Sequence, residues 1–218
     1  MEFVDVHKEI RNSITRSQHC QRNWDLTKDI PREDLDLILH AATQCPSKQN
    51  NAYYKVYAVT NREVVEKIHD STVGFTVSYE PIVRITNSQT LANLLLVYTT
   101  EDINRDKFNV NEEYVSMHNV DLGVASSSAS MLERDATVAL GISSGYVNLT
   151  ASLLGYSTGC CQCFDGPQIM KILGINQKPV LLMGIGYKSS GRNRREHHKE
   201  DYTFPTFKRS EIDVNIIS

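Results

Sequence analysis

Small and apolar side chains recur at helical spacing in the segment 135–164, and this pattern predicts a long helix that is buried in the protein. The residues of this face lie three or four positions apart, so they share one broad side of the helix. They are Ala136, Ala139, Leu140, Ser143, Val147, Thr150, Ala151 and Leu154. Gly155 follows the last of them and is the type of residue that ends a helix in the left-handed conformation. We therefore expect the chain to be organised around a buried central helix.

The residues that follow this helix are small, and they predict a loop with accessible backbone amides. The segment 159–163 reads Gly-Cys-Cys-Gln-Cys. Side chains of this size leave the N–H groups of the backbone open to a ligand. We interpret the segment as a loop that the central helix delivers to one place in the fold.

Two helices and a polar loop are predicted in the first fifty residues. The first helix has an apolar face that is expected to pack against the core. This face consists of Phe3, Val6, Ile10 and Ile14. The second helix is expected to begin after Asp29 as its cap, with Pro31 in the first turn, and to end at Cys45 before a proline. The polar loop 46–51 comes next, and its amide side chains are well placed to contact a ligand.

Four segments have the alternation or the apolar run that is typical of β-strands, and they predict a sheet. These segments are 53–59, 75–85, 91–99 and 180–185. Short helices are expected after the capping residues Asn61 and Asp165, and Gly174 is expected to end the second one. Because repeats and Gly/Pro-rich linkers are absent, we expect one domain over residues 1–218, with a mobile flap at 101–130 and a C-terminal arm at 201–218.

Composition and charge limit the class of protein. The chain has 218 residues, of which 40 % are hydrophobic, and a formal net charge of -3. These values are typical of one soluble domain, and the negative charge argues against a general nucleic-acid binder. The apolar runs have the length of strands, and the N-terminus has no basic-then-apolar signal. No membrane segment is therefore predicted, and the cytoplasm is the expected location.

The basic segment 192–199 is open to three interpretations. It contains four lysines and arginines with one acidic residue among them. Such a segment is a solvated loop, a patch that contacts RNA, or the cationic end of an anion site.

Five cysteines are present, and three of them, Cys160, Cys161 and Cys163, are crowded together. This spacing is not that of a secreted disulfide framework, so reduced thiols are expected. The C-x-x-C pattern from Cys160 to Cys163 is also compatible with metal or dithiol redox chemistry, but a structural zinc site needs a second ligand pair at matching spacing. We interpret the cysteines as packing residues and predict no metal site.

Four segments in this order resemble the FMN-dependent nitroreductase family. They are Arg-Asn-Ser-Ile-Thr at 11–15 after the first helix, Ile-Pro at 30–31, Pro-Ser-Lys-Gln-Asn at 46–50, and the segment 135–164. The resemblance implies an α+β fold in which a mainly antiparallel central sheet is flanked by helices. It also implies an intertwined homodimer with FMN at the subunit interface, so that both chains line each site.

The resemblance implies a set of cofactor-binding residues in this chain. The N-terminal set would contact the flavin and its phosphate, and the two arginines near the C-terminus would close on the phosphate. The loop residues would line the isoalloxazine, and the backbone amides at 162–163 would point at flavin N5 and O4. The full set is Arg11, Asn12, Ser13, Thr15, Ser47, Asn50, Cys161, Gln162, Cys163, Arg194 and Arg195.

Two departures from the family pattern affect the expected chemistry. Thr15 stands where the family usually has a second basic residue, so Arg16 or the C-terminal arginines would supply that charge. Ala-Tyr-Tyr at 52–54 replaces the usual Gln-Pro-Trp, which changes the wall beside the flavin and therefore the acceptor.

The function that the resemblance implies is an NAD(P)H-dependent FMN oxidoreductase that reduces nitroaromatic, quinone or similar electron-poor acceptors by a ping-pong hydride mechanism. The flavin performs the chemistry, and we assign no catalytic side chain. Two alternatives from other classes stay open. One is a protein that stores or senses FMN without turnover, and the other is a nucleic-acid-interacting protein that uses the segment 192–199.

Overall fold

A computed structural model of the chain describes residues 5–79, 82–85, 87–101, 129–189 and 210–217. Its helices are α1 (Val6–Ser17), α2 (Arg32–Thr43), α3 (Arg62–Asp70), α4 (Ala129–Leu153) and α5 (Gly166–Leu173), with short 3-10 turns at Lys48–Asn50 and Ser88–Thr90. Its strands are β1 (Tyr54–Val59), β2 (Phe75–Tyr79), β3 (Ile82–Ile85), β4 (Leu94–Thr100), β5 (Ser157–Cys161) and β6 (Pro179–Gly186).

Four of these strands form an antiparallel sheet in the order β1–β4–β6–β5. Leu96 of β4 lies opposite Ala58 of β1 on one side and Met183 of β6 on the other, which fixes the register. Strands β2 and β3 form a separate antiparallel pair. The sheet confirms the predicted α+β class with a mainly antiparallel sheet and flanking helices.

Helices cover both faces of the sheet, and the side chains of β4 divide between them. Leu94, Leu96 and Tyr98 pack with α2 and α4 on one face, whereas Leu95 and Val97 pack with α3 and α5 on the other. Successive side chains of a strand point to opposite faces, so a strand that is buried on both faces must be apolar throughout. All five of these side chains are fully buried.

Helix α4 confirms the predicted central helix. Ala139, Ser143, Val147 and Ala151 are all buried on its inner face. The Ser143 hydroxyl donates to the Ala42 carbonyl oxygen at 2.8 Å, which ties α4 to the end of α2. The helix begins at Ala129, before the predicted start, and Gly155 follows it with a φ of 88°.

Several predicted ends of helices are confirmed by the backbone. The side chains of Asn61 and Asp165 cap α3 and α5 by accepting hydrogen bonds from the backbone N–H groups three residues later. Gly174 ends α5 in the left-handed conformation. The predicted cap of α2 is wrong, because Pro31 has an extended backbone and lies outside the helix, which begins at Arg32.

The expectations for α1 need two corrections. The segment 11–15 lies inside this helix and not after it. The apolar face was expected to pack against the core, but Val6, Ile10 and Ile14 are 60 %, 41 % and 50 % exposed. Helix α1 packs on α4 through polar contacts instead, centred on the buried Ser13.

The segment 159–163 is also different from its prediction, because most of it is not a loop. Residues 157–161 form the edge strand β5, in which Gly159 lies opposite Gly184 of β6. A Cβ atom on Gly159 would lie 2.6 Å from the Gln21 carbonyl oxygen, so a close approach of two backbones requires glycine there. The small residues of this segment are therefore explained by packing. The segment 75–85, predicted as one strand, contains the two strands β2 and β3.

The segment between α1 and α2 is held against the body of the protein by Trp24. Its indole N–H donates to the Ser88 carbonyl oxygen at 2.8 Å, and its backbone pairs with Lys188. Trp24 packs with Leu91 and Ala92 in a small cluster of its own. The start of the chain is thereby joined to the segments that flank β4 and β6.

Several predictions fall on residues that the structure does not describe. Only the ends of the expected flap at 101–130 lie within the described ranges, and the basic segment 192–199 with Arg194 and Arg195 lies outside them. In the expected arm, residues 210–217 are exposed. Among the described helices, none combines the length and the hydropathy needed to cross a bilayer.

Candidate functional site

The polar loop after α2 presents the two predicted loop residues in a fixed conformation. The Ser47 hydroxyl donates to the Asn51 carbonyl oxygen at 2.8 Å, which closes the turn. Asn50 has a φ of 54°, a left-handed conformation that asparagine adopts more readily than other residues with a side chain. Asn50 is also exposed. The loop therefore holds a carboxamide that can both donate and accept hydrogen bonds at the protein surface.

This loop borders a cavity of about 890 Å³, which we call the loop cavity. Ser47 and Asn50 both line it, together with Cys45, Tyr54 and Tyr146. Its volume falls within the range of small-molecule sites. The Tyr54 hydroxyl donates to the Ala42 carbonyl oxygen at 2.7 Å and lies 2.9 Å from the Cys45 sulfur. Burial, with the contact to Cys45, raises the pKa of Tyr54 to about 12, so this wall is a neutral phenol at neutral pH.

An ion pair fixes the loop on the central helix. The Lys48 ammonium lies 2.6 Å from a carboxylate oxygen of Asp135, whose side chain is only 10 % exposed. Sequence reasoning missed this pair. Lys48 is the one charged residue of the loop 46–51, and Asp135 opens the segment of the predicted central helix, so their opposite charges were an available signal.

The N-terminal set of predicted residues lies on α1. Arg11, Asn12 and Thr15 are exposed, and the Thr15 hydroxyl donates to the Arg11 carbonyl oxygen. Ser13 is fully buried, and its backbone carbonyl oxygen accepts a hydrogen bond from the Ser152 hydroxyl at 2.9 Å. Helix α1 therefore offers Arg11 and Asn12 to a ligand most directly.

Arg16 is engaged within the protein. Its guanidinium donates to the Glu9 carboxylate at 2.9 Å, to the Ser13 hydroxyl at 2.8 Å and to the Ser152 carbonyl oxygen at 3.1 Å. The hydrogen bond from Arg16 holds the pKa of the Glu9 carboxyl below its usual value. The positive charge of Arg16 is thus already paired with a carboxylate, which reduces its value for holding a phosphate.

The third predicted set follows β5. Cys161 is buried, and burial raises the pKa of its thiol, which disfavours the thiolate needed for redox or metal chemistry. Gln162 and Cys163 are exposed. The Cys163 carbonyl oxygen accepts a hydrogen bond from the Val73 N–H at 2.8 Å, which anchors this short segment next to α3.

The structure ties two of the three predicted sets, the loop residues and the α1 residues, to two distant points of α4. The loop set is tied to Asp135 near one end of the helix, and the α1 set is tied to Ser152 near the other. At 1.5 Å per residue these two positions are separated by about 25 Å along the helix. A single chain therefore does not bring the loop residues and the α1 residues together.

The side chains present suit the two chemically different parts of a flavin nucleotide. The exposed guanidinium of Arg11 with the Asn12 amide is a donor set for a phosphate. The exposed Asn50 amide matches the alternating donors and acceptors of a pyrimidine edge. Within the described ranges, no group of three or more His, Cys, Asp or Glu side chains is arranged to hold a metal ion.

Comparison with solved structures identifies proteins with a similar fold. A proposed NAD(P)H:FMN oxidoreductase from Staphylococcus epidermidis is 20 % identical, with a TM-score of 0.63 and coverage of 94 % of each chain. A proposed nitroreductase from Exiguobacterium sibiricum, in complex with FMN, is 17 % identical, with a TM-score of 0.64 and coverage of 96 % of this chain and 95 % of that chain.

A third structure is an enone reductase of gut-bacterial fatty acid biohydrogenation. It is 17 % identical, with a TM-score of 0.62, and the match covers 93 % of this chain and 99 % of that chain. At these identities, the three likenesses establish the fold. No curated protein sequence matches the chain.

The sequence itself matches a family model. The model described as the nitroreductase family covers residues 15–187, which include α2, the polar loop, the whole four-stranded sheet and α4. The match and the observed fold agree with the resemblance drawn from the motifs. The chain belongs to the nitroreductase family.

Proposed function

We propose that this chain is an FMN-dependent oxidoreductase that takes electrons from NAD(P)H and passes them to nitroaromatic, quinone or similar electron-poor acceptors. The observation that carries the proposal is the loop cavity, where an exposed Asn50 amide with a left-handed backbone is held beside Ser47. Family membership over residues 15–187 supports an oxidoreductase of the flavin type. The names of the S. epidermidis and E. sibiricum proteins agree with it.

The chain contributes binding groups in three places. Arg11 and Asn12 bind the phosphate, together with Arg194 and Arg195. Ser13 and Thr15 support that end of the site through α1. The phosphate is a dianion, and several cationic or amide donors are needed to hold it.

The flavin ring is bound by the other two sets. Asn50 bonds the pyrimidine edge, and Ser47 lines the ring beside it. The backbone at Cys161, Gln162 and Cys163 directs its N–H groups to the region where negative charge grows on reduction. When bound, FMN supplies the hydride chemistry, so the chain needs no catalytic side chain of its own.

The working form in this proposal is a homodimer with FMN at the interface. The outer face of α4 supports it, because Val138, Tyr146 and Leu153 are 56 %, 48 % and 44 % exposed. Gly141 and Gly145 have no neighbouring atom within 4 Å of a Cβ position, so a second helix has room to approach. An apolar face with small residues is typical of helix–helix contacts.

Symmetry explains why the predicted residues are separated within one chain. If two copies of α4 cross with opposite directions, the loop end of one helix lies near the α1 end of the other. The loop set of one copy then completes the α1 set of its partner. The exposed apolar residues of α1 and of the segment 210–217 supply additional surface for the same association.

We place the protein in the cytoplasm. NAD(P)H is available there, and thiols remain reduced. The five cysteines of the structure are all free, which agrees with a reducing compartment.

The first test is the visible spectrum of the purified protein, followed by anaerobic addition of NADH and of NADPH. A yellow flavin spectrum that bleaches with either donor is the expected result. Bound flavin that does not bleach would favour the storage or sensing alternative. A colourless protein that does not take up added FMN would contradict the proposal, and salt-dependent nucleic-acid binding would then be measured for the segment 192–199.

A further inference from the structure

The Glu9 carboxylate on α1 lies among the residues at the phosphate end of the proposed flavin site. It accepts a hydrogen bond from the Arg16 guanidinium at 2.9 Å and another from the Ser13 hydroxyl at 3.4 Å. Asn12 lies three residues after Glu9 and four before Arg16, so it shares their side of the helix. A negative charge therefore stands beside the side chains that are proposed to hold a negatively charged phosphate.

Ser13 is closed off by the contact between Glu9 and Arg16. It is fully buried, and its hydroxyl accepts a hydrogen bond from the Arg16 guanidinium at 2.8 Å. A ligand reaches a fully buried hydroxyl only after a neighbouring side chain moves. The side chains of Glu9 and Arg16 are 43 % and 50 % exposed, so both have room to move.

The two members of this ion pair are held in place differently. Arg16 also donates to the Ser152 carbonyl oxygen at 3.1 Å, which fixes its guanidinium on α4. The Glu9 carboxylate bonds Arg16 and Ser13, which both lie on its own helix. Rotation of the Glu9 side chain towards solvent therefore leaves the Arg16 guanidinium in position.

The ion pair has a geometry that a phosphate can replace. A single terminal nitrogen of Arg16 makes the contacts with Glu9, Ser13 and Ser152, so the carboxylate is held at one point of the guanidinium. A guanidinium and a phosphate frequently form two parallel hydrogen bonds, which are stronger than one. Half-exposed ion pairs contribute little to stability, so the displacement of Glu9 is not strongly opposed.

We propose that Glu9 is a specificity-determining residue whose carboxylate competes with the phosphate of FMN for Arg16 and Ser13. The inference rests on the proposed flavin function, and it adds the group that sets how strongly the chain prefers FMN over riboflavin, which lacks the phosphate. Without the cofactor, Glu9 neutralises Arg16. On binding of FMN, Glu9 turns towards solvent, and Arg16 and Ser13 donate to the phosphate instead.

Titration of the flavin-free full chain with FMN and with riboflavin tests this inference, because the two ligands share one ring system and differ in the phosphate. Flavin fluorescence measures both affinities. In Glu9→Gln, which removes the charge and keeps the size, we expect FMN to bind about fivefold more tightly and riboflavin to bind as before. An FMN affinity that is unchanged or weaker in this variant would overturn the inference.

The ion pair of Arg32 and Asp36 on α2 provides a matched control. It also joins an arginine to an exposed carboxylate within one helix, at 2.8 Å. Asp36→Asn changes the net charge of the protein as Glu9→Gln does, and it should leave both flavin affinities unchanged. An equal gain in FMN affinity in Asp36→Asn would reveal an effect of net charge and refute the assignment to Glu9.

Arg16→Gln examines the other member of the pair. Loss of the guanidinium should weaken FMN binding about tenfold without a change for riboflavin, because only FMN has the phosphate. Arg32→Gln is the control and should change neither affinity. Undiminished FMN binding in Arg16→Gln would contradict the inference. If Arg16→Gln does not fold, because Arg16 also joins α1 to α4, the result for Glu9→Gln decides.

The use of two flavins separates failure of this inference from failure of the proposed function. If neither flavin binds to the original protein, the oxidoreductase function and the role of Glu9 are both wrong. If both flavins bind and Glu9→Gln alters neither affinity, only the role of Glu9 is wrong.

Discussion

Lys48 and Asp135 join the polar loop to the central helix through an ion pair of 2.6 Å. The two residues are far apart in the sequence, and the pair is partly buried, because the Asp135 side chain is 10 % exposed and that of Lys48 is 47 % exposed. Lys48 lies between Ser47 and Asn50 in the sequence. The ion pair therefore helps to hold these two residues of the candidate flavin site in place.

Removal of the ion pair is expected to loosen the loop. In Asp135→Asn, we predict a loss of roughly 1 kcal/mol in the free energy of unfolding, since one partner is half exposed, and weaker retention of FMN. Urea denaturation and fluorescence titration of FMN measure the two effects. The control is Asp36→Asn, which breaks the exposed pair between Arg32 and Asp36 on α2 and should change neither quantity. Equal effects of the two substitutions would contradict a supporting role for Asp135.

Asn50 allows the backbone and the side chain to be tested separately. Asn50→Gly keeps the left-handed conformation accessible but removes the amide, so we expect unchanged or greater stability with weaker FMN binding. Asn50→Ala also removes the amide and adds a strain of about 1 kcal/mol at a φ of 54°. Thermal melts and FMN titrations of both variants would show the difference. The assignment of Asn50 to the flavin site is wrong if both variants bind FMN as the original protein does.

The contact between Glu9 and Arg16 gives a pH-dependent contribution to stability. The pKa of Glu9 is lowered from 4.5 in the folded protein, first by the hydrogen bond from Arg16. A lowered pKa stabilises the fold above the unfolded-state pKa, and this contribution is lost as the pH falls through the folded-state value. Glu9→Gln should therefore be less stable than the original protein near pH 7, and the difference should shrink as the pH falls below 4.5 and vanish once the pH is below the folded-state pKa.

Urea denaturation across this pH range provides the measurement for Glu9. Glu211→Gln, on the exposed segment near the C-terminus, is the control and should show no such difference. A difference for Glu9→Gln that persists at low pH would indicate a packing effect and not an ionic one.

Gly159 is expected to be intolerant of a larger side chain. A Cβ atom there would lie 2.6 Å from the Gln21 carbonyl oxygen and 3.0 Å from the Gln89 Cβ atom. Gly159→Ala should therefore lower the free energy of unfolding by roughly 1–3 kcal/mol. Gly141→Ala is the matched control, because no atom lies within 4 Å of its Cβ position and the substitution favours a helix. Chemical denaturation that shows equal stabilities would contradict the close approach of β5 and the Gln21 backbone.

Gly145 tests the proposed homodimer. Its Cβ position is open in one chain, so Gly145→Leu should fold normally, but a bulky residue on the outer face of α4 should block a second helix. We expect a shift from dimer to monomer in sedimentation velocity, together with a loss of bound FMN. The control is Thr60→Leu. Thr60 is exposed and precedes Asn61, the cap of α3, which packs on the opposite face of the sheet from α4. A dimer that persists in Gly145→Leu would place the interface elsewhere.

Local sequence patterns predicted the features that depend on local physics. The central helix follows from the periodicity of residues such as Ala139 and Val147, and its end follows from Gly155. The caps at Asn61 and Asp165 were predictable because each side chain bonds a backbone only three residues away. The apolar run of β4 predicted a strand, since a strand covered on both faces has no polar side.

The features that the sequence did not reveal depend on contacts between distant segments. Strand β5 was missed because glycine is depleted in strands, whereas the approach of the Gln21 backbone requires a glycine at position 159. The exposed face of α1 had the pattern of a core-facing helix, because periodicity shows that one side of a helix is apolar but does not show whether the rest of the chain covers that side. The ion pair of Lys48 with Asp135 joins charges whose proximity only the fold creates.

Trp24 gives the protein an internal optical reporter. It is the only tryptophan of the chain, it is 9 % exposed, and its indole N–H bonds the Ser88 carbonyl oxygen. All intrinsic tryptophan emission therefore comes from the contact that holds the start of the chain near β4 and β6. The intensity and wavelength of this emission follow the docking of that segment without any label.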